Sequence, residues 1–229
     1  MSPGFGVGVG VGIGTESGGS SSNSPVEILG TEGRVFIDVL DFALGDGVAV
    51  SSWVNRFVAY PDFAELDAGC TYDLGEDAVD SNGVGVLYIA DGTLTATQPT
   101  TMWVLAKRLN PGANEVLISG DNSSDYQNIY QTISMWSSFA GSAGTIGIST
   151  GGWDWFRITF EGAISEAVLN GAAPQIVNPG TKDLSGIRLF QQFNGVSNYD
   201  GLLKVFILAE GASTDQVSDV DDWMVSRSA

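Results

Sequence analysis

An all-β protein, built as an antiparallel sandwich of two sheets, is the fold class that this 229-residue chain predicts. Three observations carry the prediction. Short runs of β-branched and aromatic residues recur from Pro25 onward, with Gly, Asn, Asp and Pro between them. Hydrophobic residues make up 43% of the chain and aromatic residues 10%, enough to bury a sizeable core. Only one segment, close to the C-terminus, carries a helical period. The length suits one large sandwich, because such units run to about 200–250 residues.

Residues 1–24 form a first segment of mostly Gly and Ser, with Glu16 as its one charged side chain. Between residues 4 and 14, Gly alternates with Phe5, Val7, Val9, Val11 and Ile13. An extended chain would put these five side chains on one face and bare backbone on the other. Burying each would contribute about 1.5 to 3 kcal/mol, against about 1 to 2 kcal/mol of backbone entropy for each residue ordered. The two sums are comparable, so the segment is expected to order only against a partner. It is read as an assembly or anchoring arm, and residues 25–229 as the folded domain.

Within that domain, strands are predicted near 34–39, 84–90, 101–107, 115–119, 145–150, 155–161, 163–170, 187–190 and 202–209. Asn170-Gly171 ends an alternating run and reads as a tight turn. A helix is predicted over 213–223. Ser213 with Gln216 makes a capping-box pattern, Val217, Val220 and Met224 share one face, and Asp219, Asp221 and Asp222 are expected to look outward.

Composition excludes several function classes. Nine Lys and Arg stand against 27 Asp and Glu, a formal net charge of −18, so nucleic acid is not an expected partner. The chain has no histidine, which removes Ser-His-Asp and Cys-His catalysis and the usual zinc sites. The single Cys70 allows no internal disulfide and is expected to be a small buried or turn residue. No apolar run is long enough to span a bilayer, and the first basic residue is Arg34, so neither membrane insertion nor a secretory signal is expected. Synthesis in the cytoplasm is the corresponding expectation.

A resemblance rests on an ordered set of segments. These are Thr101-Met-Trp-Val-Leu-Ala, Trp155-Phe-Arg-Ile-Thr-Phe, a strand ending in Asn170-Gly171, Leu184-Ser-Gly-Ile-Arg-Leu-Phe, Tyr199-Asp-Gly-Leu-Leu-Lys-Val-Phe-Ile-Leu and the capped helix after it. With Val50-Ser-Ser-Trp-Val-Asn-Arg upstream, they resemble the concanavalin A-like jelly roll of the laminin-G-type (LamG) lectins and glucanases over roughly residues 40 to 224. The resemblance implies a jelly roll, a fold that serves hydrolases, lectins and structural modules alike. Glucanases of that superfamily carry paired carboxylates at alternating spacing on one strand, and no such string occurs here. The nearest, Glu76-Asp77-Ala78-Val79-Asp80, has the wrong spacing and sits in a predicted turn region.

Two candidate sites remain. Trp153, Trp136, Tyr126 and Tyr130 are read as a platform for stacking sugar rings, with Trp153 beside Gly151-Gly152 as the best surface candidate. Asp121-Asn-Ser-Ser-Asp125 offers oxygen ligands from Asp121 and Asp125 to a hard cation such as calcium, although Tyr126 stands where an EF-hand needs Gly and the same residues are ordinary turn formers.

The function expected is a non-enzymatic virion structural protein of a tailed bacteriophage: a capsid decoration, head fibre or tail appendage displaying a lectin-like domain on the virion surface. The Gly-alternating start resembles the short N-termini of phage virion proteins. Its partners would be capsid or tail proteins, further copies of itself in a homo-oligomer, with a trimer as one option, and a host glycan. A bacterial carbohydrate-binding module is the alternative, followed by a glycoside hydrolase of the same superfamily.

Overall fold

The computed structural model describes residues 23–110 and 114–229. The arm residues Phe5, Val7, Val9, Val11 and Ile13, and the expectation attached to them, lie outside the described residues. The chain begins with α1 (Pro25–Leu29), β1 (Gly33–Asp38), β2 (Ser52–Trp53), β3 (Phe63–Asp67), β4 (Thr71–Asp73), β5 (Ala78–Asp80) and β6 (Val86–Ile89). It continues with β7 (Thr95–Ala96), β8 (Thr100–Arg108), β9 (Glu115–Ser119), β10 (Asn128–Gln131), β11 (Met135–Phe139) and β12 (Ala143–Ile148). The last third supplies β13 (Asp154–Phe160), β14 (Ser165–Leu169), β15 (Gln175–Val177), β16 (Leu184–Ser185), β17 (Ile187–Leu189), β18 (Gly201–Glu210) and α2 (Thr214–Ser228).

These strands make two eight-stranded sheets. The first runs β15-β14-β13-β8-β18-β5-β4, with β1 also on β18; the second runs β12-β11-β10-β9-β17-β6-β3-β2. Every pairing is antiparallel, including the short β7–β16 pair. The fold is a concanavalin A-like jelly-roll sandwich, as the sequence predicts.

The main core fills the space between the sheets. Val104, Phe156, Phe206 and Leu208 of the first meet Ile118, Ile129, Trp136 and Leu189 of the second. A second core lies on the other side of the first sheet, where Trp103, Leu105, Trp155 and Ile207 are covered by Leu29 of α1 and by Val220 and Met224 of α2. The middle of the first sheet, around β8 and β18, is thus buried on both faces. That is why β8 and β18 read as nearly continuous apolar runs rather than as alternating ones.

Helix α2 starts where predicted and runs five residues further, to Ser228. Ser213 Oγ accepts from Gln216 N at 3.3 Å while Gln216 Oε1 accepts from Ser213 N at 2.9 Å. The last turn is fastened to β1 by Arg227 Nη2 donating to Asp38 Oδ1 at 2.9 Å. One expected exposure is corrected. Asp221 turns inward to accept from Trp103 Nε1 at 2.7 Å and Arg157 Nε at 3.2 Å, because the second core leaves an indole and a guanidinium that need an acceptor there. Burial raises the Asp221 carboxyl above the ordinary aspartate range in spite of Arg157.

Asn170 and Gly171 both have positive φ, +49° and +72°, and Ala172 N donates to Leu169 O at 2.9 Å, the backbone of the predicted tight turn. Cys70 is buried, 1% exposed, as expected.

Candidate functional site

On the outer face of the second sheet, β9, β10 and β11 build a pocket. The alternation along Asn128-Ile129-Tyr130 places Ile129 in the core and leaves Asn128 and Tyr130 on the outside. Val116 of β9 and Phe139 of β11 join them, and Tyr126, just before β10, closes one wall. The cavity holds about 220 Å³ and is also lined by Gln192.

Tyr126 is fixed by three contacts. It stacks on Phe139 with ring centroids 5.5 Å apart, meets Phe193 at 4.9 Å, and carries Lys182 Nζ 4.2 Å from its own centroid. The close approach of Tyr126 to Gly120 demands glycine there, since a Cβ would fall 2.9 Å from Tyr126 Cα. The intervening turn is local chemistry: Asn122 Oδ1 accepts from Ser124 N at 2.7 Å.

Asn128 is the polar residue at the base. It is 4% exposed, and its Oδ1 has no hydrogen-bond partner among the described residues. An acceptor left in that state costs about 1–3 kcal/mol unless something donates to it. No carboxylate lines the pocket. Aromatic walls beside the buried, unanswered Asn128 carboxamide oxygen suit a ligand with apolar faces and hydroxyl edges.

A second cavity of about 280 Å³ opens at the turn end of the β10–β11 hairpin, between Arg108, Gln131, Ile133, Ser149 and Thr150. Gln131 is 2% exposed and its Oε1 also lacks a partner among the described residues. A larger concavity, about 730 Å³, lies between α2 and β13–β15. Its polar groups answer one another: Arg157 bonds to Asp221 and Thr159 and lies 3.7 Å from Glu166.

The structure brings together two of the four residues read as a sugar platform, Tyr126 and Tyr130. Trp136 must be corrected: it is 0% exposed in the core against Phe156, with its Nε1 donating to Asp154, so its ring is closed to any ligand. The alternation of β11 sends Trp136 inward and Phe139 outward, and nothing in the residue order marks which aromatic faces which way. Trp153 lies elsewhere, half-buried beside the second core, where it donates to Glu76 Oε2 at 3.0 Å and lies under Lys204 Nζ at 4.3 Å.

The calcium expectation at Asp121 and Asp125 is also corrected. Asp121 Oδ1 accepts from Arg188 Nε and Oδ2 accepts from Asp91 N at 3.1 Å, so its charge is already neutralised. No cluster of three metal-ligating side chains occurs among the described residues.

Asn128, Phe139, Phe193, Gln192 and Lys182 went unforeseen in the sequence. Only Phe139 left a trace there, as the far end of Met135-Trp-Ser-Ser-Phe.

Neither a protein-family model nor a curated protein matches the chain. Solved structures do. Domain 4 of AbnA, a GH43 extracellular arabinanase from Geobacillus stearothermophilus, seen in complex with arabinotriose, superposes with a TM-score of 0.61 at 14% identity, covering 82% of this chain and 98% of that one. Trypanosoma rangeli sialidase superposes with a TM-score of 0.57 at 12% identity, covering 86% of this chain and 33% of its own. At such identities the likeness is one of fold: a β-sandwich of the kind found in glycosidases and the domains attached to them.

Proposed function

We propose that this chain is a non-catalytic glycan-recognition domain carried on the surface of a virus particle, as a capsid decoration, head fibre or tail appendage of a bacteriophage. The observation that carries the glycan reading is the buried, unanswered Asn128 carboxamide beneath Tyr126, Tyr130 and Phe139. A sugar ring meets such a pocket with its C–H face against an aromatic and a hydroxyl donating to the amide oxygen. The β-sandwich fold, shared with an arabinanase domain seen with arabinotriose, supports the reading. The lack of histidine in the chain and of carboxylates around the pocket supports binding without turnover.

The particle reading is supported by the Gly-alternating sequence from Phe5 to Ile13, which in an extended form would present an apolar face to a capsid or tail protein or to further copies of the chain in a homo-oligomer. The net charge of −18 suits a crowded outer surface.

The test is a glycan array probed with the full chain, followed by calorimetry with Tyr130→Ala and Asn128→Ala. Saccharide binding that both variants abolish, with no released reducing sugar, supports the proposal. Binding indifferent to both variants, or hydrolysis of the bound glycan, overturns it. Labelling of intact particles with an antibody to residues 25–229 tests the location.

A further inference from the structure

The helices cover only part of the outer face of the first sheet. The register places Ala209 of β18, Thr101 of β8, Thr159 of β13, Glu166 of β14 and Ile176 of β15 side by side in one row on that face. Ala209 is buried in the second core, whereas the four that follow line the concavity of about 730 Å³ beside α2. At the usual spacing of strands, this floor is about 14 Å wide. Ile176 is 67% exposed there and Ile164 62%, and Val217 of α2 stands on the opposite wall.

The groove offers apolar contact rather than hydrogen bonds. Arg157 is held by Asp221, Thr159 and Glu166, and Thr101 and Thr159 share a hydrogen bond of 3.1 Å. None of the buried polar atoms without a partner belongs to its lining. What fits is an extended, uncharged chain with its apolar side chains on one face, and residues 4–14 of this sequence, uncharged and alternating Gly with five apolar residues, are of that kind. Their attachment point is near. Asn23 lies five residues before Ile28, whose carbonyl accepts from Gln216 Nε2 at 3.0 Å, and Gln216 adjoins Val217 on α2. Asn23 is therefore within about 20 Å of the groove, and residues 14–22 span about 30 Å when extended.

We propose that this groove is the seat of the chain's own N-terminal segment. Three successive apolar side chains of the 5–13 alternation, about 6.6 Å apart along an extended chain, span the floor and lie against Ile164, Ile176 and Val217. Valine at 7, 9 and 11 lets neighbouring registers serve equally. The short tether gives the chain's own segment an effective concentration near millimolar, ahead of any second copy in dilute solution. The seat does not depend on the particle or glycan readings; on the particle reading, a capsid or tail protein would compete with the groove for the same apolar face.

A nitroxide on Val9→Cys in the full chain tests this, since the native Cys70 is buried and stays unlabelled. Methyl NMR signals of Ile164, Ile176 and Val217 are expected to broaden, and that of Ile133 on the other sheet to stay sharp. A mixture of spin-labelled chains without isotope and methyl-labelled chains without nitroxide is expected to show no broadening. Ile176→Asp, at an exposed position, should release the segment: the broadening of Ile164 and Val217 disappears, and elastase cuts within residues 5–13 about tenfold faster. Ile164→Asp, exposed as well, should give the same release, read at Ile176 and Val217, even if Ile176→Asp folds poorly. Sharp signals throughout, or broadening and cleavage indifferent to both variants, overturn the seat and leave the particle and glycan readings standing. Broadening that the mixture reproduces overturns it too, by assigning the groove to the segment of a second copy.

Discussion

Trp136 Nε1 donates to Asp154 Oδ2 at 2.8 Å, and this bond ties β11 of one sheet to the start of β13 of the other, near the end of the sandwich where the β10–β11 turn lies. Asp154 is 0% exposed. Its carboxylate also accepts from Ser149 Oγ, Thr150 Oγ1 and Asn170 Nδ2 at 2.8 Å and from Thr150 N at 3.1 Å. A buried carboxylate is tolerated only when it is so fully answered, and removing it strands every donor.

Asp154→Ala is accordingly expected to cost about 2–4 kcal/mol, and Trp136→Phe, which removes one donor, about 1.5–3 kcal/mol. Urea denaturation of the two variants measures both. A loss for Asp154→Ala no greater than a typical surface substitution would show that the carboxylate does not organise the interior.

On the glycan reading, saccharide binding should survive EDTA. Arg188 and Asp91 already occupy the carboxylate of Asp121, so no cation is needed to neutralise it. Calorimetry with and without a chelator is expected to give one isotherm, and an affinity restored by adding calcium would contradict this.

Cys70 should be inert in the native protein. Burial, with Glu65 and Asp80 nearby, pushes its thiol up to about 12, so almost no thiolate exists at neutral pH. Iodoacetamide at mildly alkaline pH is expected to leave Cys70 unmodified until urea unfolds the chain, as read by intact mass.

Acid should loosen the contact between Glu76 and Trp153. The hydrogen bond from Lys107, reinforced by that from Trp153, holds the Glu76 carboxyl below its ordinary value of 4.5. A depressed carboxyl contributes stability above the unfolded-state value and loses it as pH falls through the folded one, so the window lies below about 4.5. Trp153 fluorescence should change there in the wild type and not in Glu76→Gln.

On the particle reading proposed above, deleting residues 1–22 should leave a folded sandwich that no longer docks on a particle. The cut stops short of Ser24, the N-cap of α1, whose backbone N donates to the Glu27 carboxylate Oε2 at 2.8 Å. Unchanged particle occupancy on quantitative gels would reduce the segment to a linker.

The fold was legible wherever burial is one-sided or complete over a long run. The apolar stretches at 101–107 and 202–209 mark β8 and β18 because both faces of the sheet are covered there, and Ser213 with Gln216 marks the start of α2. β2, β4, β7 and β16, of two or three residues each, are too short to show a period at all. The site was half legible. Tyr126 and Tyr130 could be found by composition, but Asn128 and Gln131 look like any polar residues until a strand is drawn through Ile129 and their amides turn out to be buried without partners.

The helical layer gives the molecule a front and a back. Residues 23 onward enter α1, which lies beside α2 where Gln216 Nε2 donates to Ile28 O at 3.0 Å, and both helices cover one sheet while the aromatic pocket lies on the outside of the other. Asn23, where the preceding residues join the domain, therefore leads into the helical side of the sandwich, opposite the pocket. On the proposed reading, copies carried on one support through that side would share a common outward direction of their pockets, and weak individual contacts with a glycan surface would add by avidity without any change to the pocket.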